Sequence, residues 1–327
     1  MTSVQISALG KYLPKTILTN HDLARMVDTS DEWIRSRTGI GKRHIVDEDE
    51  STSTIASVAA MEVLNKANID PLTIEMIVVA TITPDSPFPS VACKVQHTIG
   101  SRNAFAFDIS AACSGFVYGI ETAVSFIKSG KAKNALVIGA EVFSRCIDWE
   151  DRSTCVLFGD GAGAALLEIG EEDYFIGSIL RADGSGQELL HIPAGGSAKP
   201  ISIDTIEKRE HFLKMKGLEL FEKVVPMICQ IILDTCKKIR IPVNDIDCFV
   251  LHQANIHIIE EIADGIGVPI ERFVCCIEQH ANTSSASIPL ALISAIQSGN
   301  IQPRDIVMLV GFGAGLTCGT SVLRWNT

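Results

Sequence analysis

A cysteine set among small residues is the first group in this sequence that could do chemistry. Cys113 lies in DISAACSGF (108–116), after the apolar run AFAF and before a pattern typical of a helix. A thiol at a helix N-terminus meets free backbone N–H groups and aligned peptide dipoles, which lower its pKa and favour the nucleophilic thiolate. Taken alone the stretch favours a buried structural cysteine, because free cysteine is among the most buried residue types. A helix start flanked by small residues weakens that alternative.

Two polar side chains follow apolar runs elsewhere in the chain. His252 opens HQAN directly after the apolar stretch CFVL (248–251), at a strand's carboxyl end, where open α/β sheets bind ligands. Asn282 lies in HANTSSAS (280–287), where His280 ranks below His252 as a candidate. A cysteine with two neutral hydrogen-bond donors suits the stabilisation of a thioester enolate or an oxyanion. Singly, His252 could be a strand-end histidine and Asn282 a helix N-cap.

Two glycine-rich stretches need different interpretations. GFGAGLTCG (311–319) follows the apolar run DIVMLV, so its backbone N–H groups can approach a ligand and form an oxyanion hole, although a tight turn would also explain the glycines. GDGAGAALL, from Gly159, lacks the Lys-Ser/Thr of a phosphate loop and the spacing of a dinucleotide fingerprint. Close packing of a helix on a strand is the expected reason for its glycines.

The elements that carry these residues occur twice. A strand, a turn of small residues, a helix and a final Ser-Gly end at Gly130 and again at Gly299, an offset of 169 that sets Cys113 opposite Asn282. The apolar runs IEMIVVA (74–80) and IDCFVLH (246–252) correspond at an offset of 172. A repeated pattern at this scale indicates a duplicated fold.

The repeated units predict helix-covered sheets. Short continuous apolar runs such as NALVIGAE (134–141) and DIVMLVGFG (305–313) are typical of strands covered on both faces. Helical patterns precede the first strand pair at 52–68 and 217–239. Alternating strands and helices imply parallel crossovers. We therefore predict two halves, 1–170 and 171–327, packed around a pseudo-twofold axis, with Leu180 to Phe212 as their connection.

Composition excludes several classes of partner. The 327 residues are 46% hydrophobic and 20% charged, and the net charge of −11 argues against nucleic acid or an anionic membrane surface. The N-terminus lacks a secretory signal pattern and no apolar run is long enough to cross a bilayer, so we expect a cytoplasmic protein. Ten cysteines without a C-x-x-C pair predict reduced thiols and no metal site.

At this point the sequence resembles a known family, the β-ketoacyl-acyl carrier protein synthase III enzymes, within the thiolase-fold condensing enzymes. The resemblance runs along the whole chain and rests on motifs in family order: GKYLPKTILTN, DTSDEWIRSRTGI, FPSVACKVQ, DISAACSGF, FGDGAGAALL, LHQAN, HANTSSAS and GFGAGLTCG. It implies a thiolase-like α/β fold whose duplicated strand–helix halves form a layered αβαβα arrangement. It also implies a homodimer.

The resemblance assigns a reaction to the three polar residues. Cys113 would take an acyl group from acyl-CoA, which is a substrate, so that no cofactor is needed. His252 and Asn282 would hold the thioester carbonyl of malonyl-acyl carrier protein while it loses CO₂ and attacks the acyl-enzyme. The backbone N–H groups of Cys113 and Ala314 would form the oxyanion hole.

Further residues match the family's substrate contacts. Trp33, Arg37 and Arg152 match the positions that bind CoA, where an indole stacks on adenine and guanidinium groups bind phosphates. A helix capping box at DTSDEW and a surface ion pair at Arg152 are the alternatives. The acyl pocket would be formed by Phe143, Phe158 and, contributed across the dimer, Phe88; together they predict a short primer such as acetyl.

The sequence departs from the family where the acidic carrier protein would dock. Basic residues of relatives are replaced by His257, Glu222 and the pair Asp264 and Gly265, and Cys318 stands where a large residue is common. Rim charges govern encounter rate more than chemistry. The alternative is therefore a related condensing enzyme or acyltransferase of secondary metabolism that uses malonyl-CoA or a small acceptor. A non-catalytic partner subunit and a cysteine hydrolase are further alternatives.

Overall fold

The computed structural model describes residues 2–326, which form thirteen strands and eleven α-helices. The strands are β1 Val4–Tyr12, β2 Thr16–Thr19, β3 Lys42–Ile45, β4 Met76–Ala80, β5 Phe105–Ile109, β6 Asn134–Glu141, β7 Gly161–Ile169, β8 Phe175–Ala182, β9 Leu190–His191, β10 Lys214–Met215, β11 Cys248–Leu251, β12 Ile306–Gly313 and β13 Thr317–Arg324. The helices are α1 Asn20–Leu23, α2 Asp31–Thr38, α3 Thr52–Ala67, α4 Val91–Thr98, α5 Gly115–Lys128, α6 Arg152–Cys155, α7 Ile203–Glu207, α8 Gly217–Ile239, α9 Ile256–Ile266, α10 Ile277–His280 and α11 Ser287–Gln297.

Two mixed sheets form the framework, with strand orders β1-β7-β6-β4-β5 and β11-β12-β13-β8. In the first sheet β4 runs parallel to β5 and β6, while β7 is antiparallel to β1 and β6. In the second sheet β11 and β12 are parallel, and β13 is antiparallel to β12 and β8. The strand order β8-β13-β12-β11 therefore repeats β1-β7-β6-β4. The domain boundary between residues 170 and 171 stays a prediction.

Side-chain alternation along the central strands builds the layers. In β4, Met76 and Val78 pack with α5 and α11, whereas Ile77 and Val79 pack with α3 and α4 on the other face. The same alternation in β11 directs Val250 toward α5 and α11 and its neighbours toward α8 and α9. Both faces of each sheet are covered, which explains the continuous apolar runs of the sequence. The layers are α3 and α4, a sheet, α5 and α11, a sheet, then α8 and α9.

The duplication holds in the structure, but its register differs from the one predicted. The 3₁₀ turns before α5 and α11 span Ala112–Ser114 and Ser284–Ala286, an offset of 172. Their first residues have matching φ angles of 46° and 49°. The prediction that Cys113 stands opposite Asn282 is wrong, because α5 has 14 residues and α11 has 11. Alignment on the Ser-Gly ends therefore displaces the starts by three residues, and the counterpart of Cys113 is Ser285.

The predicted connection between the halves is partly regular structure. Its first residues, Leu180 to Ala182, end β8, and the remainder contains β9 and α7. Membrane-spanning potential was also assessed along the helices. In residues 2–326 no helix combines the length and the apolar character that crossing a bilayer requires.

Candidate active site

Cys113, His252 and Asn282 line one cavity of about 250 Å³. A second cavity, of about 350 Å³, shares Cys113, Phe158 and Leu190 with the first. Cys113 therefore lies where the two cavities meet. The three polar residues come from three separate segments, which the crossing of the two halves brings together.

Cys113 is held in a tight turn that runs directly into α5. The turn Ala112–Ser114 is packed against the end of β12, where a Cβ at Gly313 would lie 2.6 Å from the backbone nitrogen of Cys113. The Ser114 hydroxyl lies 2.6 Å from the Ala111 carbonyl oxygen and 2.7 Å from the hydroxyl of Thr317. These contacts fix the cysteine between the two halves.

The protonation of the thiol differs from the sequence expectation. Cys113 is only 4% exposed, and burial raises the pKa of its thiol to about 12. A hydrogen bond with Ser284 opposes this increase, and the charge of Glu141 adds to it. The predicted lowering of the pKa at a helix N-terminus is therefore outweighed by desolvation. The resting nucleophile is a thiol, and a base must take its proton during attack.

His252 lies immediately after β11 and is held by its backbone and its ring. Its N–H donates to the Val310 carbonyl oxygen at 2.9 Å, and its ring stands edge-on to Phe312 at a centroid distance of 5.1 Å. Burial lowers the pKa of the imidazole to about 3. His252 is therefore neutral at rest, with one nitrogen able to accept a proton and the other able to donate one.

Asn282 is oriented by the backbone of the turn before α11. Its Oδ1 accepts a hydrogen bond from the Ser284 N–H at 2.9 Å, and its own backbone N–H donates to the Leu157 carbonyl oxygen at 3.0 Å. With Oδ1 engaged in this way, the Nδ2 amide is the group left to serve the cavity as a donor. A neutral donor of this kind suits a carbonyl oxygen on which negative charge develops.

The acyl-pocket residues divide between the second cavity and the surface. Phe143 and Phe158 line this cavity and stack at a centroid distance of 4.6 Å. Ala314 lines it beside Cys113. Phe88 is 84% exposed and lines neither cavity within this chain.

The predicted CoA residues lie at the outer part of the main cavity. Trp33, on α2, lines the cavity, and the Arg152 guanidinium carbon is 4.7 Å from the centre of its ring. Arg152 also donates to the Asp28 carbonyl oxygen at 2.8 Å. Arg37 is exposed one turn along α2, and its carbonyl oxygen accepts from Asn255, a residue of the cavity wall. An indole and a guanidinium are thus adjacent, with a second guanidinium on the same helix as the indole.

Two residues that matter to this geometry were missed by sequence reasoning. Gln253 is buried and bridges the Leu251 and Val274 carbonyl oxygens and the Cys276 N–H, which fixes the loop that carries His252. Glu141 is fully buried at the end of β6. An acidic residue ending the apolar run NALVIGAE was the available signal for Glu141.

Other sequence candidates lie outside the cavities. His280 packs near His44, with ring centroids 6.0 Å apart. Cys318 is buried in the second sheet and faces the layer of α8 and α9. All ten cysteines fall within the described residues, and all are free. No cluster of three or more His, Cys, Asp or Glu side chains in residues 2–326 is arranged to hold a metal ion.

The exposed face of α9 is acidic, as the sequence departures suggested. His257, Glu260, Glu261 and Asp264 are exposed on this helix, and Glu222 is exposed on α8. The ring nitrogens of His257 lie 2.9 Å from the Glu260 carboxylate and 2.9 Å from the Ser36 carbonyl oxygen, and these contacts raise its pKa. His257 is thereby engaged in joining α9 to α2.

Two buried histidines predict a loss of stability in acid. Burial lowers the pKa of His252 to about 3 and that of His280 to about 4, from an ordinary value of 6.5. The unfolded chain therefore binds protons that the folded chain excludes, so this stability is present above pH 6.5 and is lost as the pH falls toward 4. The slope is about 1.4 kcal/mol per pH unit for each histidine.

The measurement is the free energy of unfolding in urea at pH 7.5, 6.5 and 5.5, for the wild type and His280→Gln. Glutamine cannot gain a proton, so the dependence on pH should be weaker in the variant. Buried carboxylates titrate equally in both proteins, which leaves the difference to His280. Parallel pH curves would contradict a neutral buried His280.

Comparisons with known proteins place the chain in a family. A family model described as "3-Oxoacyl-[acyl-carrier-protein (ACP)] synthase III" matches residues 107–184, and its C-terminal counterpart matches residues 236–325. A protein of Natranaerobius thermophilus named "Beta-ketoacyl-[acyl-carrier-protein] synthase III" is 49% identical, over 99% of this chain and 100% of the relative.

Solved structures agree with these relatives. The crystal structure of 3-oxoacyl-[acyl-carrier-protein] synthase III from Aquifex aeolicus matches with a TM-score of 0.91 and 43% identity, over 99% of this chain and 100% of that chain. The priming β-ketosynthase of the R1128 polyketide pathway matches with a TM-score of 0.89 and 32% identity, covering 99% and 97%. The predicted thiolase-like fold and the predicted family are confirmed. A cysteine between two cavities, in a chain alike over its whole length to these enzymes, belongs to the 3-oxoacyl-[acyl-carrier-protein] synthase III family.

Proposed function

We propose that this protein condenses a short acyl-CoA, acetyl-CoA in the first instance, with malonyl-acyl carrier protein to start fatty acid chains. The observation that carries the proposal is the position of Cys113 at the meeting point of two cavities, one lined by His252 and Asn282 and the other by Phe143 and Phe158. One cavity accepts the thioester arm and the other holds the acyl group.

The first half-reaction transfers the acyl group to sulfur. The Cys113 thiol gives its proton to the neutral imidazole of His252 and attacks the thioester carbonyl of acyl-CoA. The carbonyl oxygen gains negative charge, which the backbone N–H groups of Cys113 and Ala314 stabilise. When the carbon–sulfur bond to CoA breaks, the CoA thiolate takes the proton from His252. Free CoA leaves and the acyl-enzyme remains.

The second half-reaction forms the carbon–carbon bond. His252 and the Nδ2 amide of Asn282 donate to the thioester carbonyl oxygen of the malonyl group, which stabilises the enolate formed as CO₂ leaves. The enolate carbon attacks the acyl carbonyl on Cys113, and the sulfur departs as the tetrahedral intermediate collapses. The product is a 3-oxoacyl thioester on the carrier protein.

CoA is held through Trp33, Arg152 and Arg37. The Arg152 guanidinium over the Trp33 ring forms a platform for the adenine, with cationic groups for the phosphates. We expect Arg152→Ala to raise KM for acetyl-CoA about tenfold and to leave kcat within about twofold, because this contact is equal in the ground and transition states. Steady-state kinetics at varied acetyl-CoA measure the split. A fall in kcat at unchanged KM would contradict a CoA-binding role.

A homodimer is part of the proposal, and the exposure of Phe88 supports it. A phenyl ring that is 84% exposed in one chain is a large apolar surface to leave in water. The edge strand β5 adds unpaired backbone groups on the first sheet. A second copy could cover both features and bring Phe88 to the acyl cavity of its partner.

A related condensing enzyme of secondary metabolism, using malonyl-CoA, is the second candidate. The acidic exposed face of α9 favours it, because an acidic carrier protein would be repelled there. The similarity to a priming β-ketosynthase of a polyketide pathway points the same way.

The deciding experiment is intact mass spectrometry of the protein after incubation with acetyl-CoA, followed by a chase with each malonyl donor. We expect a mass increase of one acetyl group that malonyl-acyl carrier protein discharges with release of CO₂. Discharge by malonyl-CoA alone would favour the second candidate. No adduct with acetyl-CoA or longer acyl-CoA thioesters would overturn the condensing mechanism.

A further inference from the structure

Glu141 is a fully buried acid that the proposed reaction does not use. It ends β6 with its side chain at 0% exposure, and each of its hydrogen-bond partners is a neutral donor. Burying a carboxylate without a cation costs several kcal/mol unless hydrogen bonds compensate. Such a group next to an active site is a candidate for a role in the reaction.

The donors to Glu141 come from both halves of the molecule. Its Oε2 accepts from the Thr83 hydroxyl at 2.6 Å and from the Ile82 N–H at 3.1 Å, in the segment after β4. Its Oε1 accepts from the hydroxyls of Ser284 at 3.2 Å and Ser285 at 3.0 Å, in the turn before α11. The carboxylate therefore joins the two halves directly behind the site.

Ser284 connects this carboxylate to both reacting groups. Its hydroxyl donates to Glu141 and also forms a hydrogen bond with the Cys113 thiol. Its backbone N–H donates to Oδ1 of Asn282 at 2.9 Å. Movement of Ser284 would therefore disturb the nucleophile and the enolate-stabilising amide together. Ser285 also donates to Glu141, but its other contact is the Ala80 carbonyl oxygen at 2.8 Å.

We propose that Glu141 is a positioning residue: it anchors Ser284, which orients the Cys113 thiol and the Asn282 amide, and it keeps a negative charge beside the sulfur. The inference deepens the function proposed above and rests on it for the roles of Cys113 and Asn282. The charge disfavours a resting thiolate, so the thiol keeps its proton until His252 takes it during attack.

Two titratable groups surround the sulfur in this arrangement. His252 faces it in the main cavity, and Glu141 acts on it from β6, raising the pKa of the thiol. Cys146, whose thiol pKa is raised to about 11 chiefly by burial, also feels the charge of Glu141. The pH dependence of Cys113 reactivity therefore reports the Glu141 charge once His252 is kept constant.

The test is the pH profile of Cys113 alkylation by iodoacetamide, followed by peptide mass spectrometry so that the other cysteines do not interfere. In Glu141→Gln the charge is lost, and we expect the midpoint to fall by about one pH unit. The amide also presents N–H groups to donors, so kcat of acetyl transfer should fall at least about tenfold with KM for acetyl-CoA within about twofold. An unchanged alkylation profile would overturn the proposal, even with reduced activity.

Ser284→Ala and Ser285→Ala form a matched pair. Both remove a hydroxyl donor from the same oxygen of Glu141, but only Ser284 contacts the thiol. We expect Ser284→Ala to move the alkylation midpoint upward and Ser285→Ala to leave it in place. Equal profiles for the two variants would overturn the proposal, and this comparison decides if Glu141→Gln does not fold.

Failure of this inference is distinguishable from failure of the proposed function. Alkylation requires no acyl-CoA, so it reports on Glu141 and Ser284 whatever the substrate is. Shifted profiles in a protein that never forms an acetyl adduct would keep the positioning role and reject the condensing reaction. An acetyl adduct with unshifted profiles would do the reverse.

Discussion

Replacing Cys113 with alanine is expected to leave no acyl-enzyme and to reduce turnover at least about 10⁴-fold, because no other group can attack from the same place. The other buried thiols lie in packed cores rather than at a junction of cavities; Cys155 and Cys318 are examples. The thiol of Cys113 is also small and buried, so alanine fits the turn with little rearrangement. The measurement is intact mass after incubation with acetyl-CoA, alongside initial rates of CoA release.

Cys93→Ser is the matched control, because this thiol is exposed on α4 and lines neither cavity. It should form the acetyl adduct at the wild-type rate. An adduct that persists in Cys113→Ala but is lost in another cysteine variant would transfer the nucleophile to that residue. Melting temperatures of both variants within a few degrees of the wild type would show that the loss is chemical.

The sequence was sufficient for the elements with strong local patterns. The apolar runs at 74–80 and 134–141 became β4 and β6, and the periodic stretch after Cys113 became α5. Short-range patterning decides such elements because each strand is buried on both faces. Register was harder, since a helix one turn shorter in the second half keeps the same end signal while its start moves by three residues.

The site was predictable only where a side chain's type states its chemistry. Cys113, His252 and Asn282 have such types, and the fold brings all three to one cavity. Ser284 resembles any turn serine in sequence, and its importance comes from contacts between segments more than a hundred residues apart. Phe88 could not be placed by the chain alone, because what covers it lies outside one protomer's own packing.

Small residues allow the two halves to interlock around the site. A Cβ at Gly311 would meet Ser114 in the turn of the first half, and a Cβ at Gly139 would clash with the Ser285 carbonyl in the turn of the second half. These two glycines occupy equivalent positions on β12 and β6. Each half thus supplies the floor for the other half's turn, and the nucleophile depends on both.

Gly313→Ala should damage the oxyanion hole directly and reduce turnover at least about 100-fold, the usual cost of losing one such donor. The added Cβ would lie 2.6 Å from the Cys113 nitrogen, 3.0 Å from the Cys113 Cβ and 3.1 Å from the Ala112 Cβ. All three atoms belong to the turn that presents the backbone N–H, so no flexible side chain can yield instead. The turn itself must shift, which moves both the sulfur and the donor.

The comparison that isolates this effect is Gly196→Ala, where the added Cβ meets no atom within 4 Å. Neither position has a positive φ, so the two variants differ in the crowding of the Cys113 turn and not in backbone strain. We expect Gly196→Ala to retain wild-type kcat, while Gly313→Ala loses kcat and acylates slowly in a single turnover with acetyl-CoA. Wild-type acylation in Gly313→Ala would mean that the turn tolerates displacement, and the oxyanion hole would then have to be assigned to other backbone groups.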